Sequence, residues 1–362
     1  MSKEKSSGVN IDLGDQCSKI AYDWAKKSFN NRPAGGGNPL LGVEGSFSNI
    51  MDYAGVKVGI SSDGIGTKIE IAERVGKYDT IGFDLVAMVA DDLAANGIET
   101  VNLSNILDVD FLDPQIVDEL MRGLHDAAKF AKITVTGGEI AELGPRINGY
   151  GERMHFNWCS TGIGILPPDV SPIDGKSIKA GDKVIILRSR GFRSNGFSLL
   201  RKIMRENFGE AWHNEKYDEN DTWGGILLTP SLIYTPLIAG LLKSGITLKG
   251  VAHITGGGVV DNFKRVLKSS AAGGARFDNL CEPHPFMIKA QELGRVEEAQ
   301  AYRIWNMGNG MMLAVNADDE EKTLTAIKEN GYEAQTGGEI IAENKIIFDS
   351  KGANPQHFET DI

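Results

Sequence analysis

Val56-Lys-Val-Gly-Ile-Ser-Ser-Asp-Gly-Ile-Gly-Thr-Lys68 alternates like a half-buried strand at Val56, Val58 and Ile60, then breaks into glycine turn chemistry beside an aspartate and a lysine. A strand that feeds a glycine loop offers backbone N–H groups to an anion. The same alternation continues downstream. Residues 80–96 read as a helix, with Leu85, Met88, Val89 and Leu93 on one face and Asn96-Gly97 as its stop. A short strand over 100–103 follows. Asp113 and Pro114 then supply the N-cap and first turn of a helix over 114–129, which leads into a strand over 133–136 and the turn Gly137-Gly138-Glu139. Upstream, the glycines and prolines of 31–39 are expected to form a mobile loop.

The richest proline stretch, Leu166-Pro-Pro-Asp-Val-Ser-Pro172, marks a boundary between an N-terminal domain (1–170) and a C-terminal domain (171–350). The second half starts afresh with a strand over 183–188, a turn over 191–196 and an amphipathic helix on Leu199, Leu200, Ile203 and Met204. A strand over 251–254, the loop Thr255-Gly-Gly-Gly258 and a helix through Val266 come next. Both halves fit α/β or α+β units. The apolar run 226–242 is interrupted by Pro230 and Pro236 and reads as a buried helix capped near Thr229-Pro230, not as a membrane span.

The composition bounds the answer. A chain of 362 residues has length for two cores, and 41% hydrophobic with 24% charged residues is ordinary for globular proteins. Its 38 basic and 49 acidic residues leave a net charge of −11, without a basic block, so neither nucleic acid nor membrane is an expected partner. Cys17, Cys159 and Cys281 form no CxxC, and the polar N-terminus lacks an apolar signal region; the expected setting is the cytoplasm.

Several chemistries lack their signatures. Gly175-Lys176-Ser177 has Val170 where a phosphate-loop glycine would stand, and Asp261 occupies the third position of a dinucleotide glycine motif. The six histidines make no HxH or HExxH, and there is no GxSxG. What remains is three glycine loops and a set of acids. Asp84, Asp91 and Asp92 share a helix face over roughly 10–12 Å. With Asp63 and Glu139 they suit a hard, oxygen-liganded Mg²⁺ of the kind used in phosphoryl transfer. His253 ends a strand two residues before the triple glycine and faces whatever that loop binds. The residues alone therefore point to a two-domain, Mg²⁺-dependent phosphate or nucleotide site.

In order, Ser62-Asp-Gly-Ile-Gly-Thr-Lys68, Gly82-Phe-Asp-Leu-Val-Ala-Met88, Gly137-Gly-Glu-Ile-Ala-Glu142, Ser194-Asn-Gly-Phe-Ser198 and His253-Ile-Thr-Gly-Gly-Gly258 resemble the aminoimidazole ribonucleotide synthetase family, from about residue 8 to 345. The resemblance implies an N-terminal α/β domain whose four-stranded sheet forms a barrel with that of a dimer mate. A C-terminal α+β domain and an ATP cleft between the two domains complete the implied fold. It further implies that Gly64, Gly66, Thr67, Lys68, Asp84, Gly137 and Gly138 hold ATP phosphates. Asp63, Asp91, Asp92 and Glu139 would hold Mg²⁺, with K⁺ as an optional further ion. Arg193, Ser194, Asn195, Thr255, Gly256, Gly257 and Gly258 would meet a phosphorylated substrate, with Asp63, Lys68 and His253 in catalysis. The implied reaction is ATP-dependent ring closure of formylglycinamidine ribonucleotide through an iminophosphate. Relatives of other activity include a thiamine-monophosphate kinase, a selenophosphate synthetase and a hydrogenase maturation factor; a non-catalytic nucleotide-binding regulator is a further alternative. Five positions depart from the family pattern. Asp91 stands for Asn, Asn105 for Asp, Arg193 for His, Ile140 for Thr, and Gly45-Ser-Phe-Ser48 for Gly-Gly-Phe-Gly; together they bear on substrate identity more than on ATP.

Overall fold

The computed structural model describes residues 11–40 and 46–362, so the first ten residues and the Gly45 end of the early loop lie outside the described residues. Two sheets draw on separate halves of the chain. The first contains β1 (Gly36–Pro39), β2 (Asn49–Tyr53), β3 (Val56–Gly64), β4 (Glu99–Val109), β5 (Thr134–Glu142) and β6 (Phe156–Ile165) in the order β1-β2-β3-β6-β4-β5. Only β4 and β5 run parallel. Helices α1 (Ile11–Lys27), α2 (Ile69–Val75), α3 (Ile81–Ala95) and α4 (Pro114–Ala131) belong to this half. This sheet has six strands where the resemblance implies four.

Alternate residues set the layers. Leu103, Leu107 and Val109 of β4 and Phe156 and Trp158 of β6 are buried with α3 and α4 in one core. Gly82 and Gly123 let the two helices cross closely, since a Cβ on Gly82 would lie 2.4 Å from the Gly123 backbone. The opposite face is bare: Ile106, Ile163 and Ile165 are 50%, 39% and 42% exposed.

The second sheet has the order β13-β12-β9-β11-β7-β10-β8, from β7 (Lys183–Arg188), β8 (Leu248–His253), β9 (Gly274–Phe277), β10 (Asn309–Val315), β11 (Ala334–Ile341), β12 (Lys345–Asp349) and β13 (His357–Asp361). Its helices are α5 (Phe197–Phe208), α6 (Trp223–Leu227), α7 (Thr235–Lys243), α8 (Gly258–Leu267), α9 (Pro285–Gly294), α10 (Glu298–Ile304) and α11 (Glu320–Glu329). β10 is buried along its whole length, as a central strand covered on both faces should be.

Three expectations change. Gly137-Gly138-Glu139 is not a turn: β5 runs through it to Glu142, because β4 continues alongside as far as Val109. Residues 36–39 are a strand paired with β2 rather than open loop. The apolar run 226–242 is two helices, and the segment between them, Thr229–Tyr234, is non-helical. Pro230 cannot continue a helix, and Pro236 starts the next one in its first turn. The other major elements fall where periodicity puts them, α4 included: the Asp113 carboxylate accepts from the Gln115 and Ile116 N–H groups.

Candidate active site

β3 continues through Gly64, and a single 3-10 turn, Gly66–Lys68, swings the chain into α2. Asp63 stays at the strand end, where its Oδ1 accepts from the Gly64 N–H at 2.7 Å. Lys68 instead plunges inward. Its Nζ donates to Asp84 Oδ1 and Oδ2 at 2.8 and 2.9 Å and to the Thr229 carbonyl at 2.6 Å. Both side chains are wholly buried, and the three ammonium protons are all used. Ser231 adds its hydroxyl to Asp84 Oδ1 at 2.5 Å. Lys68 and Asp84, expected at the nucleotide phosphates, therefore form a strut between the glycine loop, α3 and the 229–234 segment.

Two turns further along α3, Asp91 reads the same segment. Its Oδ1 accepts from the Tyr234 and Thr235 N–H groups at 2.8 and 2.9 Å and from the Thr235 hydroxyl at 3.0 Å. Its Oδ2 accepts from Arg193 Nη2 at 2.8 Å. Asp91, expected as a metal ligand, is thus spent on protein donors. Arg193, expected at the substrate, is 2% exposed, and its guanidinium lies 4.9 Å from the centre of the Tyr234 ring. Two departures from the family pattern are therefore one contact.

The same Nη2 lies 2.8 Å from His253 Nε2, and His253 Nδ1 lies 2.7 Å from Asp92 Oδ1. A guanidinium only donates, so Nε2 accepts and the ring proton sits on Nδ1, pointing at the Asp92 carboxylate. Burial first, and Arg193 second, push the imidazole down to about 3, so it stays neutral. With both nitrogens engaged and no exposed surface, His253 orients its neighbours rather than meeting substrate.

Burial outweighs the stabilising contacts of two further acids. Burial lifts Asp63 to about 6, against the Gly64 N–H, and the nearby Asp92 charge adds to the rise. Burial lifts Asp92 to about 7 although Arg265, Arg193 and the Ser61 hydroxyl oppose it. Paired, poorly solvated carboxylates are what a hard divalent cation requires of its protein ligands. Glu139 does not join them. Asp63, Ser160, Asn105 and Gly138 form one row across β3, β6, β4 and β5. Glu139 is the next residue after Gly138, exposed on the edge strand and about 14 Å from Asp63 at ordinary strand spacing. Among the described residues no group of three or more His, Cys, Asp or Glu is placed to hold a metal, so water and phosphate oxygens would complete the shell of an ion on Asp63 and Asp92. Asn105 is a sheet residue here, accepting from Trp158 Nε1 at 3.0 Å and donating to the Gly137 carbonyl at 3.2 Å.

Next to the Arg193–His253 contact, the 194–198 and 255–258 loops come together. The Ser194 hydroxyl and Asn195 Oδ1 are buried without a hydrogen-bond partner, and a Cβ on Gly256 would lie 3.6 Å from Asn195 Nδ2. Thr67 Oγ1 and Ser198 Oγ are 3.2 Å apart, which ties the first glycine loop to the second. Helices α5 and α8 start at these loops from left-handed Gly196 and Gly257, and no side chain caps either helix. The Gly258 N–H donates to the Thr255 carbonyl at 3.0 Å, and the ends of both helices favour an anion at the donors that follow. Gly258 has no alternative, since a Cβ there would lie 1.7 Å from the Tyr302 carbonyl. Asn262 Nδ2 donates to the carbonyls of Thr255, Gly256 and Gly258 and holds the loop's shape. Sequence reasoning missed Asn262, Ser61 and the 229–235 segment. The spacing of Asn262, four residues after Gly258, was the one legible hint.

The chain matches the N-terminal domain model described as AIR synthase related protein over residues 49–165 and the corresponding C-terminal domain model over 179–351. It is 35% identical to the phosphoribosylformylglycinamidine cyclo-ligase of Thermoanaerobacter pseudethanolicus over 347 residues, 95% of this chain and 99% of that one. Among solved structures it resembles a HypE-HypF complex chain (TM-score 0.63, 18% identity, 88% and 92% of the two chains). HypE solved in complex with ATP is similar at TM-score 0.56, with 13% identity over 84% and 85%. The two matched domains together span most of the sequence: the chain belongs to the AIR synthase related family.

Proposed function

We propose that this protein uses ATP to close formylglycinamidine ribonucleotide into aminoimidazole ribonucleotide, releasing ADP and phosphate. One observation carries the reading: two uncapped glycine-started helix N-termini and the unpartnered Ser194 and Asn195 groups are linked, through the Thr67–Ser198 contact and the Arg193–His253–Asp92 line, to two carboxylates that burial lifts above their usual range. Anion cradle and cation site side by side are what phosphoryl transfer asks of a protein. The substrate phosphate lies against Ser194, Asn195, Thr255 and Gly256 to Gly258, and the nucleotide phosphates near Gly64, Gly66 and Thr67. Mg²⁺ would be held by Asp63 and Asp92 and would neutralise the transferring phosphoryl group. The formamide oxygen takes the terminal phosphoryl group of ATP as the bond to ADP breaks. The ring-forming nitrogen then attacks the same carbon, the C–O bond to phosphate breaks, and the nitrogen gives up its proton. Positioning and charge neutralisation do most of this chemistry, so no strong nucleophile is required. The identity to a named cyclo-ligase along nearly the whole chain favours ring closure over kinase chemistry.

The reading includes a homodimer joined by the bare face around Ile106, Ile163 and Ile165, whose exposure is large for a monomer, and a cytoplasmic setting. Among the described residues no helix is long and apolar enough to cross a membrane. The test is ADP release by purified protein with ATP and Mg²⁺, with and without formylglycinamidine ribonucleotide, while the aminoimidazole product is followed by its diazo colour. ADP and product should appear together in a one-to-one ratio. ATP hydrolysis indifferent to that substrate would refute ring closure.

The raised Asp63 and Asp92 carboxyls also fix a pH dependence. The native protein holds protons there that the unfolded chain releases near pH 4, so metal-free stability falls as pH rises from about 4 to 7. A bound cation competes with those protons, so its benefit grows over the same window. The melting-temperature difference between Mg²⁺ and EDTA samples is expected to be small at pH 5 and to widen to a plateau above pH 7. A constant difference from pH 5 to 8 would remove these two acids from the cation site.

A further inference from the structure

Arg193 presents a cost that the proposed chemistry does not explain. Its guanidinium is buried, its Nε and Nη1 have no hydrogen-bond acceptor, and it occupies a left-handed backbone position at φ 61. Burial of the cation and the left-handed turn each cost free energy, and although burial opposes it the Asp91 carboxylate holds the guanidinium above its usual range. Its one hydrogen-bonded nitrogen, Nη2, bridges Asp91 Oδ2 and His253 Nε2, each at 2.8 Å. Beyond the imidazole lies Asp92 Oδ1 at 2.7 Å from Nδ1. The line from Asp91 to Asp92 leaves α3, crosses the 191–196 turn and β8, and returns to α3 one residue later.

An imidazole free to choose would exchange its proton between two nitrogens, and an Nε2–H tautomer would set a lone pair against the Asp92 carboxylate. Arg193 forbids that tautomer because it can only donate. We propose that Arg193 is a positioning residue for cation binding: by locking His253 as the Nδ1–H tautomer it aims the Asp92 carboxylate, although it touches neither cation nor nucleotide. Asp91 completes the device by holding Arg193 through the bond opposite to the histidine. The inference rests on the reading that Asp92 is a cation ligand. Outer partners that orient a ligand in this way change metal affinity about 10–100-fold when removed.

The probe is Mn²⁺ titrated without nucleotide and followed by electron paramagnetic resonance, together with ¹⁵N spectra of histidine-labelled metal-free protein. Arg193→Met alone would strand the buried Asp91 charge and endanger folding, so the working variant is Asp91→Asn with Arg193→Met, a neutral pair that keeps acceptors for Tyr234 and Thr235. Wild type should show His253 as a single Nδ1–H tautomer. The double variant should show mixed tautomers and about 10–100-fold weaker Mn²⁺ binding. Adding His253→Asn, whose amide offers a fixed N–H near the Nδ1 position, should restore binding to near the wild-type value. Unchanged Mn²⁺ affinity in the double variant, where Asp92→Asn does weaken it, overturns the role of Arg193 alone. Unchanged affinity in Asp92→Asn overturns the cation reading and this inference with it. Failure of His253→Asn to restore binding shows that Arg193 acts on packing and overturns the tautomer route.

Discussion

Asp63→Asn is expected to cut substrate-dependent ADP release by roughly 10²–10³-fold, the usual loss when one preorganised electrostatic group is removed from phosphoryl or acyl transfer. The same variant is expected to melt at a higher temperature than wild type in EDTA. The two effects have one origin. Asp63 lies beside Asp92 at a cost to metal-free stability, with burial first and the Asp92 charge after it lifting its carboxyl to about 6. Asparagine keeps the acceptor for the Gly64 N–H, bonded at 2.7 Å, and discards the charge. A site built for a cation is stabilised by losing an anion and disabled by the same change. A general packing defect would lower both quantities together. Turnover within a few-fold of wild type would remove Asp63 from the cation site.

Asp84→Ala carries the largest expected stability cost, about 3–5 kcal/mol, because it strands the Lys68 ammonium in a dry interior. Lys68 and Asp84 are both wholly buried, and after truncation only the Thr229 carbonyl remains of the three Lys68 contacts. Such a loss is a large fraction of a typical domain's 5–15 kcal/mol. Urea unfolding should show a lower midpoint with an unchanged slope. Lys68→Met combined with Asp84→Leu should recover most of the loss, since the pair is replaced by apolar groups and no buried charge is left over. If Asp84→Ala costs less than about 1 kcal/mol, water reaches Lys68 and the strut is not dry.

Local signals were strong enough to read most elements. The apolar face of α3, the Asp113–Pro114 start of α4 and the apolar β7 depend on residues within one or two turns of each other. The readings that failed depended on distant partners. Gly137 to Glu139 has turn composition, yet β4 alongside supplies ladder bonds that keep it extended. Pro230 has helix-cap composition, yet Thr229 to Tyr234 is held non-helical, and a carbonyl, hydroxyls and N–H groups of 229–235 turn toward Lys68, Asp84 and Asp91.

The candidate site divides along the same line. Glycine loops after strands, acids spaced along one helix and a histidine before a triple glycine identify a phosphate-handling cleft, because those residue types carry that chemistry wherever they are assembled. Spacing could not tell which acids are spent. Asp84, Asp91 and Asp92 share a helix face and differ in what the folded chain brings to each. Asp84 receives Lys68 and Ser231, and Asp91 receives Arg193, Tyr234 and Thr235. Asp92 receives a neutral histidine, and burial lifts its carboxyl although Arg265 and Arg193 oppose it. The sequence by itself therefore determined the family, the two-layer α/β character and the class of chemistry, all of which rest on local pattern. Only the tertiary structure decided which charges are neutralised within the protein and which are left for a ligand, because desolvation and pairing are set by groups distant in the chain, most of them a hundred or more residues away.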